Sequence, residues 1–138
     1  MGRVFFNTRK NVIEISAAYA VLPSDSGSIF MINQASAYAI TLPAPATALD
    51  GFHCEFIVGT VGSYANTITC TGTDLFHGFD IDMEDGAAYG ATEGTGIDVI
   101  TLISGVTKGD RVSIMCDGTS YYYIAIAADA AHITVAAE

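Results

Sequence analysis

Short runs of alternating apolar and polar residues recur along the chain, with a period of two rather than the 3.6 of an amphipathic helix. They are rich in β-branched and aromatic residues, which favour strands. Gly, Pro, Asn, Asp or Ser stand between most of them, as at turns. The runs are KNVIEIS, SIFMIN, YAITL, FHCEFIVG, NTITC, DVITLI, DRVSIMC and YYYIAIAA. This pattern predicts an all-β protein.

The length of 138 residues suits one domain. Strands this short, separated by turns, are typical of sandwiches and barrels rather than of βαβ units. We therefore predict a single-domain antiparallel β-sandwich, or a jelly-roll or barrel-like variant of it, over residues 11–138. Residues 1–10 form a short N-terminal arm in this prediction. The only segment with a helical pattern is Ala44–Leu49.

Two of the runs are apolar on both faces. In YYYIAIAA the two alternating sets both consist of large apolar or aromatic side chains, and DVITLI is apolar on both sides except at its ends. One face packs in the sandwich, and the other packs most simply on a neighbouring subunit, although a covering loop is the alternative. The predicted oligomer interface consists of Tyr121, Tyr122, Tyr123, Ile124 and Ile126.

The composition also indicates covered surface. Only 14% of the residues are charged and the mean hydropathy is +0.42, whereas an average globular domain has about 25% charged residues. Because charged side chains normally occupy a free surface, we interpret the chain as an assembly protein. The long uncharged run 26–49 contains Asn33, Gln34, Pro43 and Pro45, which a membrane span would not contain. No membrane partner is predicted.

Charge is distributed unevenly. Arg3, Arg9 and Lys10 are three of the five basic residues, while the chain from Asn11 onward has two basic and fifteen acidic residues, a net charge of −13. An acidic body argues against nucleic acid as a partner, since phosphate binding needs clustered Lys and Arg. The arm combines its basic residues with apolar anchors, so we predict a contact with another protein surface, such as a second subunit. Its residues are Arg3, Val4, Phe5, Phe6, Arg9 and Lys10. A frayed terminus is the alternative.

The segment FDIDMEDG, residues 79–86, concentrates acidic residues. It does not fit an EF-hand: with Asp80 at position 1, Asp85 stands where Gly is required and Ala91 where Glu is required. Its alternation predicts a half-buried strand with a solvated acidic face, leading into a turn. A weak surface cation site on Asp80, Asp82 and Glu84 is the alternative.

No catalytic constellation is evident. The three cysteines, Cys54, Cys70 and Cys116, occupy apolar positions of their strands without a CxxC pair or zinc-ligand spacing, so buried free thiols are expected. Ser26 lacks the GxSxG context of a nucleophile, and the three histidines are scattered. We predict neither enzyme activity nor a cofactor.

The order of motifs carries a resemblance. LPSDSGSIFMINQASAYAITLPAPATALDGFHCEFIVGT, residues 22–60, is followed by NTITC, by the Gly109–Asp110 turn and by CDGTSYYYIA. This order resembles small β-rich virion proteins of tailed bacteriophages, especially capsid decoration (cement) proteins. The resemblance covers residues 21–128 and consists of turns and strand patterns. It implies a homotrimer on the outer head surface that binds the major capsid protein, after synthesis in the host cytoplasm. With this resemblance, the arm residues Arg3, Val4, Phe5, Phe6, Arg9 and Lys10 are expected to form a capsid or inter-subunit contact.

A carbohydrate-binding tail-fibre or adhesin domain is the alternative function. In that case Tyr64, Tyr89, Tyr121 and Tyr122 would stack on sugar rings, and loop carboxylates would hold the hydroxyls.

Overall fold

The computed structural model describes residues 10–72, 75–83 and 91–136, and only the backbone of residues 91–95. Within these ranges no helix has the length and apolar content needed to cross a membrane. The strands are β1 (Val12–Ile15), β2 (Tyr19–Ala20), β3 (Ile29–Asn33), β4 (Tyr38–Leu42), β5 (His53–Thr60), β6 (Asn66–Cys70), β7 (Phe76–Asp82), β8 (Ala91–Ile97), β9 (Val99–Leu102), β10 (Arg111–Cys116), β11 (Tyr121–Ala127) and β12 (Ile133–Ala136). Single 3₁₀ turns occupy Pro23–Asp25 and Thr47–Leu49.

Two sheets pack face to face around one core. The large sheet has seven strands in the order β1-β3-β5-β10-β11-β7-β8, and the small sheet has five in the order β12-β9-β6-β4-β2. The predicted all-β class and sandwich architecture are confirmed. The predicted helical segment Ala44–Leu49 is reduced to the 3₁₀ turn at its end.

The strand directions correct the prediction of an antiparallel sandwich, because both sheets are mixed. From β1 to β6 the chain alternates between the sheets, so that β1, β3 and β5 pair in parallel in one sheet and β2, β4 and β6 do so in the other. Antiparallel pairs join β10 to β5 and to β11. The early links cross between sheets instead of folding back as hairpins, and parallel neighbours follow from that winding.

One face of each inner strand lies in the core. Phe30 and Phe56 are fully buried, and their rings stack at a centroid distance of 5.0 Å. The predicted inward face of β5, which includes Cys54, is buried as expected. Cys116 is also buried and Cys70 is partly buried, and all three cysteines are free thiols.

Buried polar side chains hold the crossings between the sheets. Gln34 is fully buried; its Nε2 donates to the carbonyl of Ile103 at 2.8 Å, and its Oε1 accepts from the N–H of Gly62 at 3.3 Å. The Tyr38 hydroxyl donates to the carbonyl of Ile15 at 2.7 Å. Asn66 Nδ2 donates to the carbonyl of Ser36 at 3.0 Å. These bonds pair backbone groups that the crossings remove from the strand ladders.

A glycine fixes the alignment of β7 with β11. Gly78 lies opposite Tyr123 in this parallel pair. A Cβ atom at position 78 would come within 1.9 Å of the Tyr123 carbonyl oxygen and 2.8 Å of its ring. Only glycine therefore allows the close approach of these two strands at this position.

Asp110 joins three segments at one end of the sandwich. Its carboxylate is buried and accepts hydrogen bonds from the N–H groups of Thr107 and Ala128 at 2.8 and 2.9 Å. His132 Nδ1 lies 2.8 Å from the same carboxylate. Charge-assisted bonds of this kind are the stronger class of hydrogen bond in proteins.

We predict that Asp110→Ala lowers the free energy of unfolding by about 3 kcal/mol, because two N–H groups and His132 lose their partner in a buried place. Urea denaturation followed by circular dichroism measures this loss. Asp50→Ala, at an exposed carboxylate, is the control and should change stability by less than about 0.5 kcal/mol. Equal effects of the two substitutions would contradict the role given to Asp110.

Candidate functional site

A contiguous apolar surface covers part of the outer side of the large sheet. Its seven side chains lie on or next to β7, β10 and β11, with exposed fractions between 38% and 62%. We call this surface the apolar outer face: Phe79, Ile81, Met83, Met115, Tyr122, Ile124 and Ile126. At about 200 Å² for a large apolar side chain, it presents roughly 650 Å² to solvent. The largest apolar patch of a typical monomer has about 300–600 Å².

Strand register makes this surface continuous. Ile124 on β11 lies opposite Phe79 on β7, and Ile126 lies opposite Ile81. On the other side of β11, Tyr122 lies opposite Met115 of β10. Since facing residues of neighbouring strands are about 5 Å apart, these side chains form one surface.

The position of β11 corrects part of the predicted oligomer interface. Tyr121 and Tyr123 point into the core, with 0% and 2% of their surface exposed, so neither is available to a partner. The Tyr121 hydroxyl donates to the carbonyl of Pro43 at 2.7 Å. Tyr122, Ile124 and Ile126 point outward, as an interface requires. Strict alternation along one strand separates the two sets.

Tyr122 is held in place on the apolar outer face. Its hydroxyl donates to Asp117 Oδ2 at 3.1 Å, and this hydrogen bond is the main reason that the pKa of Tyr122 is raised. The N–H groups of Ser120 and Thr119 donate to Asp117 Oδ1 and lower the pKa of that carboxyl. The ring is therefore anchored at its polar end while its apolar body remains available for contact.

The acidic segment has the opposite orientation to the predicted one. Phe79, Ile81 and Met83 are exposed, whereas Asp80 and Asp82 are half-buried on the inward side of β7. The prediction of a solvated acidic face was therefore wrong for these residues. The alternation itself was right, but the pairing of β7 with β11 turns its acidic side towards the interior.

One oxygen of each inward carboxylate lacks a hydrogen-bond partner among the described residues. The Oδ1 atoms of Asp80 and Asp82 and the hydroxyl of Tyr123 are shielded from solvent and have no hydrogen-bond partner among the described residues. Burial, and then the neighbouring Asp82, raise the pKa of Asp80. Burial, and then the charge of Asp80, raise the pKa of Tyr123 to about 12. These groups make this corner of the sandwich electrostatically unfavourable.

The alternative cation site remains a prediction. Asp80, Asp82 and Asp129 line a small cavity of about 40 Å³. In the part of the chain that the structure describes, no three His, Cys, Asp or Glu residues are placed to hold a metal ion. Glu84, the third residue of the predicted site, lies outside the described residues.

A groove of about 400 Å³ adjoins the apolar outer face. Met115, Tyr122 and Ile124 belong to both, and Lys10, His53 and Glu55 add polar groups to the groove. Glu55 lies 3.9 Å from Lys10 Nζ and 3.5 Å from Arg111 Nη1. The groove is therefore apolar towards β11 and charged towards β5.

Most of the predicted arm contact cannot be placed. Arg3, Val4, Phe5, Phe6 and Arg9 lie outside the described residues. Lys10 is described, is exposed and lines the groove.

The titratable groups do not favour nucleophilic chemistry. Burial, and then Asp25, raise the pKa of Cys54 to about 12, and burial raises that of Cys70 to about 11. Thiols with such pKa values are protonated at neutral pH and react poorly. Ser26 Oγ accepts a hydrogen bond from the backbone N–H of His53 at 3.3 Å, as expected of a residue in a turn. His132 and Asp110 have the spacing of a base and its orienting acid, but within the described ranges no hydroxyl or thiol is hydrogen-bonded to His132.

No protein-family model, curated protein or solved structure matches this chain. Function is therefore inferred from the apolar outer face, the groove and the sequence itself.

We predict that Asp80→Asn raises the free energy of unfolding at pH 7, because burial and the neighbouring Asp82 disfavour the ionised carboxylate in the folded chain. Folded Asp80, whose pKa is raised, holds its proton more tightly than unfolded Asp80. Acidification from pH 7 through the raised pKa therefore stabilises the wild type, and the advantage of the variant shrinks towards pH 4. Urea denaturation at several pH values measures both effects.

Asp117→Asn is the matched control with the opposite sign. Backbone N–H groups lower the pKa of Asp117, so its ionised form favours the fold and the substitution should reduce stability at pH 7. A loss of stability in Asp80→Asn at pH 7 would contradict our interpretation and indicate that the ionised carboxylate has a partner.

Proposed function

We propose that the protein is a non-catalytic structural protein that binds other protein surfaces through its apolar outer face. The observation that supports this most directly is the run of large apolar side chains paired across β10, β11 and β7. Its roughly 650 Å² approaches the ≈ 800 Å² that each partner contributes to a standard interface. Aromatic residues and Met are enriched in such interfaces, and charged residues are depleted at their centre.

The partner that fits this surface best is another copy of the chain. The body carries a net charge of −13 from Asn11 onward, so two copies repel each other over most of their surfaces. The seven residues of the apolar outer face carry no charge, and two copies meet there with the least repulsion. Homo-oligomerisation as a trimer is part of this proposal.

The more specific proposal is a capsid decoration protein of a tailed bacteriophage. Its support is the order of motifs in residues 22–60, 66–70, 109–110 and 116–125 that resembles such proteins, together with the low charge content of 14%. In this proposal the trimer sits on the outer surface of the head and binds the major capsid protein. The free thiols of Cys54, Cys70 and Cys116 suit a chain made in the host cytoplasm, where cysteines remain reduced.

A carbohydrate-binding fibre domain is the second candidate, and the groove is the observation in its favour. Tyr122 lies in one groove with His53 and Glu55, which offers a stacking surface beside polar groups. The predicted set of tyrosines is reduced, however, because Tyr121 is buried and Tyr89 lies outside the described residues. Exposed Tyr64 stands on the loop between β5 and β6. Binding to a glycan array, with loss of binding in Glu55→Gln, would favour this candidate.

We predict that Ile81→Glu converts the oligomer to a 14.4 kDa monomer at micromolar concentration, because it places a charge on the β7 part of the apolar outer face, opposite Ile126. Analytical ultracentrifugation measures the mass, and circular dichroism checks the fold. Thr41→Glu, at an exposed position on the small sheet, is the matched control and should remain oligomeric. A wild-type protein that sediments as a monomer would refute the oligomer.

We also predict that the protein co-purifies with intact virions at several hundred copies per particle, which quantitative mass spectrometry of purified particles measures. Deletion of residues 2–10 should weaken binding to undecorated capsids at least tenfold, which a sedimentation binding assay measures. A few copies per particle would exclude decoration of the head. Unchanged capsid binding by the deletion variant would exclude the arm as a capsid contact.

A further inference from the structure

The groove lies on the outer side of the large sheet, where β5, β10 and β11 meet Lys10 and the loop residues Gly27 and Ser28. Its floor is formed by β5 and β10, and Tyr122 and Ile124 of β11 form its apolar side. Ser113 of β10 is exposed between these two sides. Large apolar and charged groups therefore stand next to each other in this groove.

The described chain begins at this groove. The carbonyl of Asn11 accepts a hydrogen bond from the N–H of Ile29 at 2.8 Å, which fixes the start of β1 beside β3. Lys10, one residue earlier, lines the groove, and its Nζ lies 3.9 Å from Glu55 Oε2. The residues that precede Lys10 therefore start from the charged side of the groove.

We propose that Val4–Phe6 of the same chain occupy the groove and cover Met115, Tyr122 and Ile124. The arm supplies apolar side chains of the right kind at Val4, Phe5 and Phe6. Its basic residues Arg3 and Arg9 match a body whose net charge is −13. An apolar groove with a charged edge is complementary to a segment with this composition.

The length of the arm is sufficient. The sheet order places β10 three strands from β1, a distance of about 14 Å at 4.8 Å per strand. Four residues in extended conformation span about 14 Å, which is the separation of Phe6 from Lys10 along the chain. Val4, two residues further, reaches about 20 Å and therefore β11. A tethered segment also binds at a high effective concentration, which favours the same chain over a second copy.

Occupation of the groove divides the apolar outer face. Its β10 side is covered by the arm, while Phe79, Ile81, Met83 and Ile126 remain open to a partner. The arm then adds Arg3 and Arg9 to the border of a surface that has no charge of its own. This inference does not rest on the virion role, because it concerns one chain alone.

Disulfide trapping tests the proposal. The variant Phe6→Cys with Ser113→Cys keeps Val4 and Phe5 as anchors and places a thiol in the groove. After mild oxidation we expect an intramolecular disulfide in more than half of the molecules, seen by non-reducing electrophoresis and peptide mass spectrometry. The matched control is Phe6→Cys with Thr41→Cys, whose second thiol lies on the exposed side of the small sheet; it should give less than a tenth of that yield. Phe6→Cys alone reports any reaction with the native thiols.

Two results would overturn the proposal. A disulfide between two chains would assign the groove to the arm of a second copy, and equal yields in the two double variants would show that the arm has no preferred place. The proposed function fails separately: a monomeric wild type, together with an intramolecular disulfide in the Phe6→Cys, Ser113→Cys variant, would refute the oligomer and leave the arm in the groove. An oligomeric wild type, together with a double variant that forms no intramolecular disulfide, would support the oligomer and refute the placement of the arm in the groove.

Discussion

The register between β7 and β11 determines the character of the outer surface. Gly78 lies opposite Tyr123 because no other residue avoids the Tyr123 carbonyl and ring at that position. With this pair fixed, alternation along β7 turns Phe79 and Ile81 outward and Asp80 and Asp82 inward. A shift of one residue would exchange the two sets, and the sheet would then show carboxylates to solvent. The close backbone contact between Gly78 and Tyr123 therefore determines whether the outer side of β7 is apolar or acidic.

Much of the fold follows from the sequence, because alternation is a local property. The eight runs of alternating residues coincide with strands, and the buried faces of β5 and β10 contain the residues that the pattern predicts. Strand direction was not predictable in this way, since parallel and antiparallel neighbours leave the same alternation. The crossings between the sheets depend instead on single polar residues such as Gln34, whose partners lie far away in the sequence. β8 (ATEGTGI) and the short β12 lack a recognisable run of large apolar residues.

The sequence predicted the β11 part of the candidate site but not its β7 part. The sequence indicated that β11 has two apolar faces, and the structure divides them between the core and the surface. The sequence signal for the buried face was the presence of the small side chains of Ala125 and Ala127 on the same face as Tyr121 and Tyr123, since small residues allow the close packing of an interior. No local pattern could assign Phe79 and Ile81 to the surface, because exposed apolar and inward acidic residues are the reverse of the usual arrangement. That assignment requires knowledge of the partner strand.

This reversal is also the strongest physical argument for a partner. In an isolated chain, β7 is unfavourable in two ways: large apolar side chains contact water, and one carboxylate oxygen each of Asp80 and Asp82 is shielded without a hydrogen-bond partner among the described residues. A domain of this size is stable by only about 5–15 kcal/mol, so several unfavourable terms in one strand are a substantial fraction of that margin. Burial of the apolar outer face recovers about 25 cal/mol for each Å² removed from water. Association through the apolar outer face, as proposed, would therefore offset on the outside of β7 what the register costs on its inside.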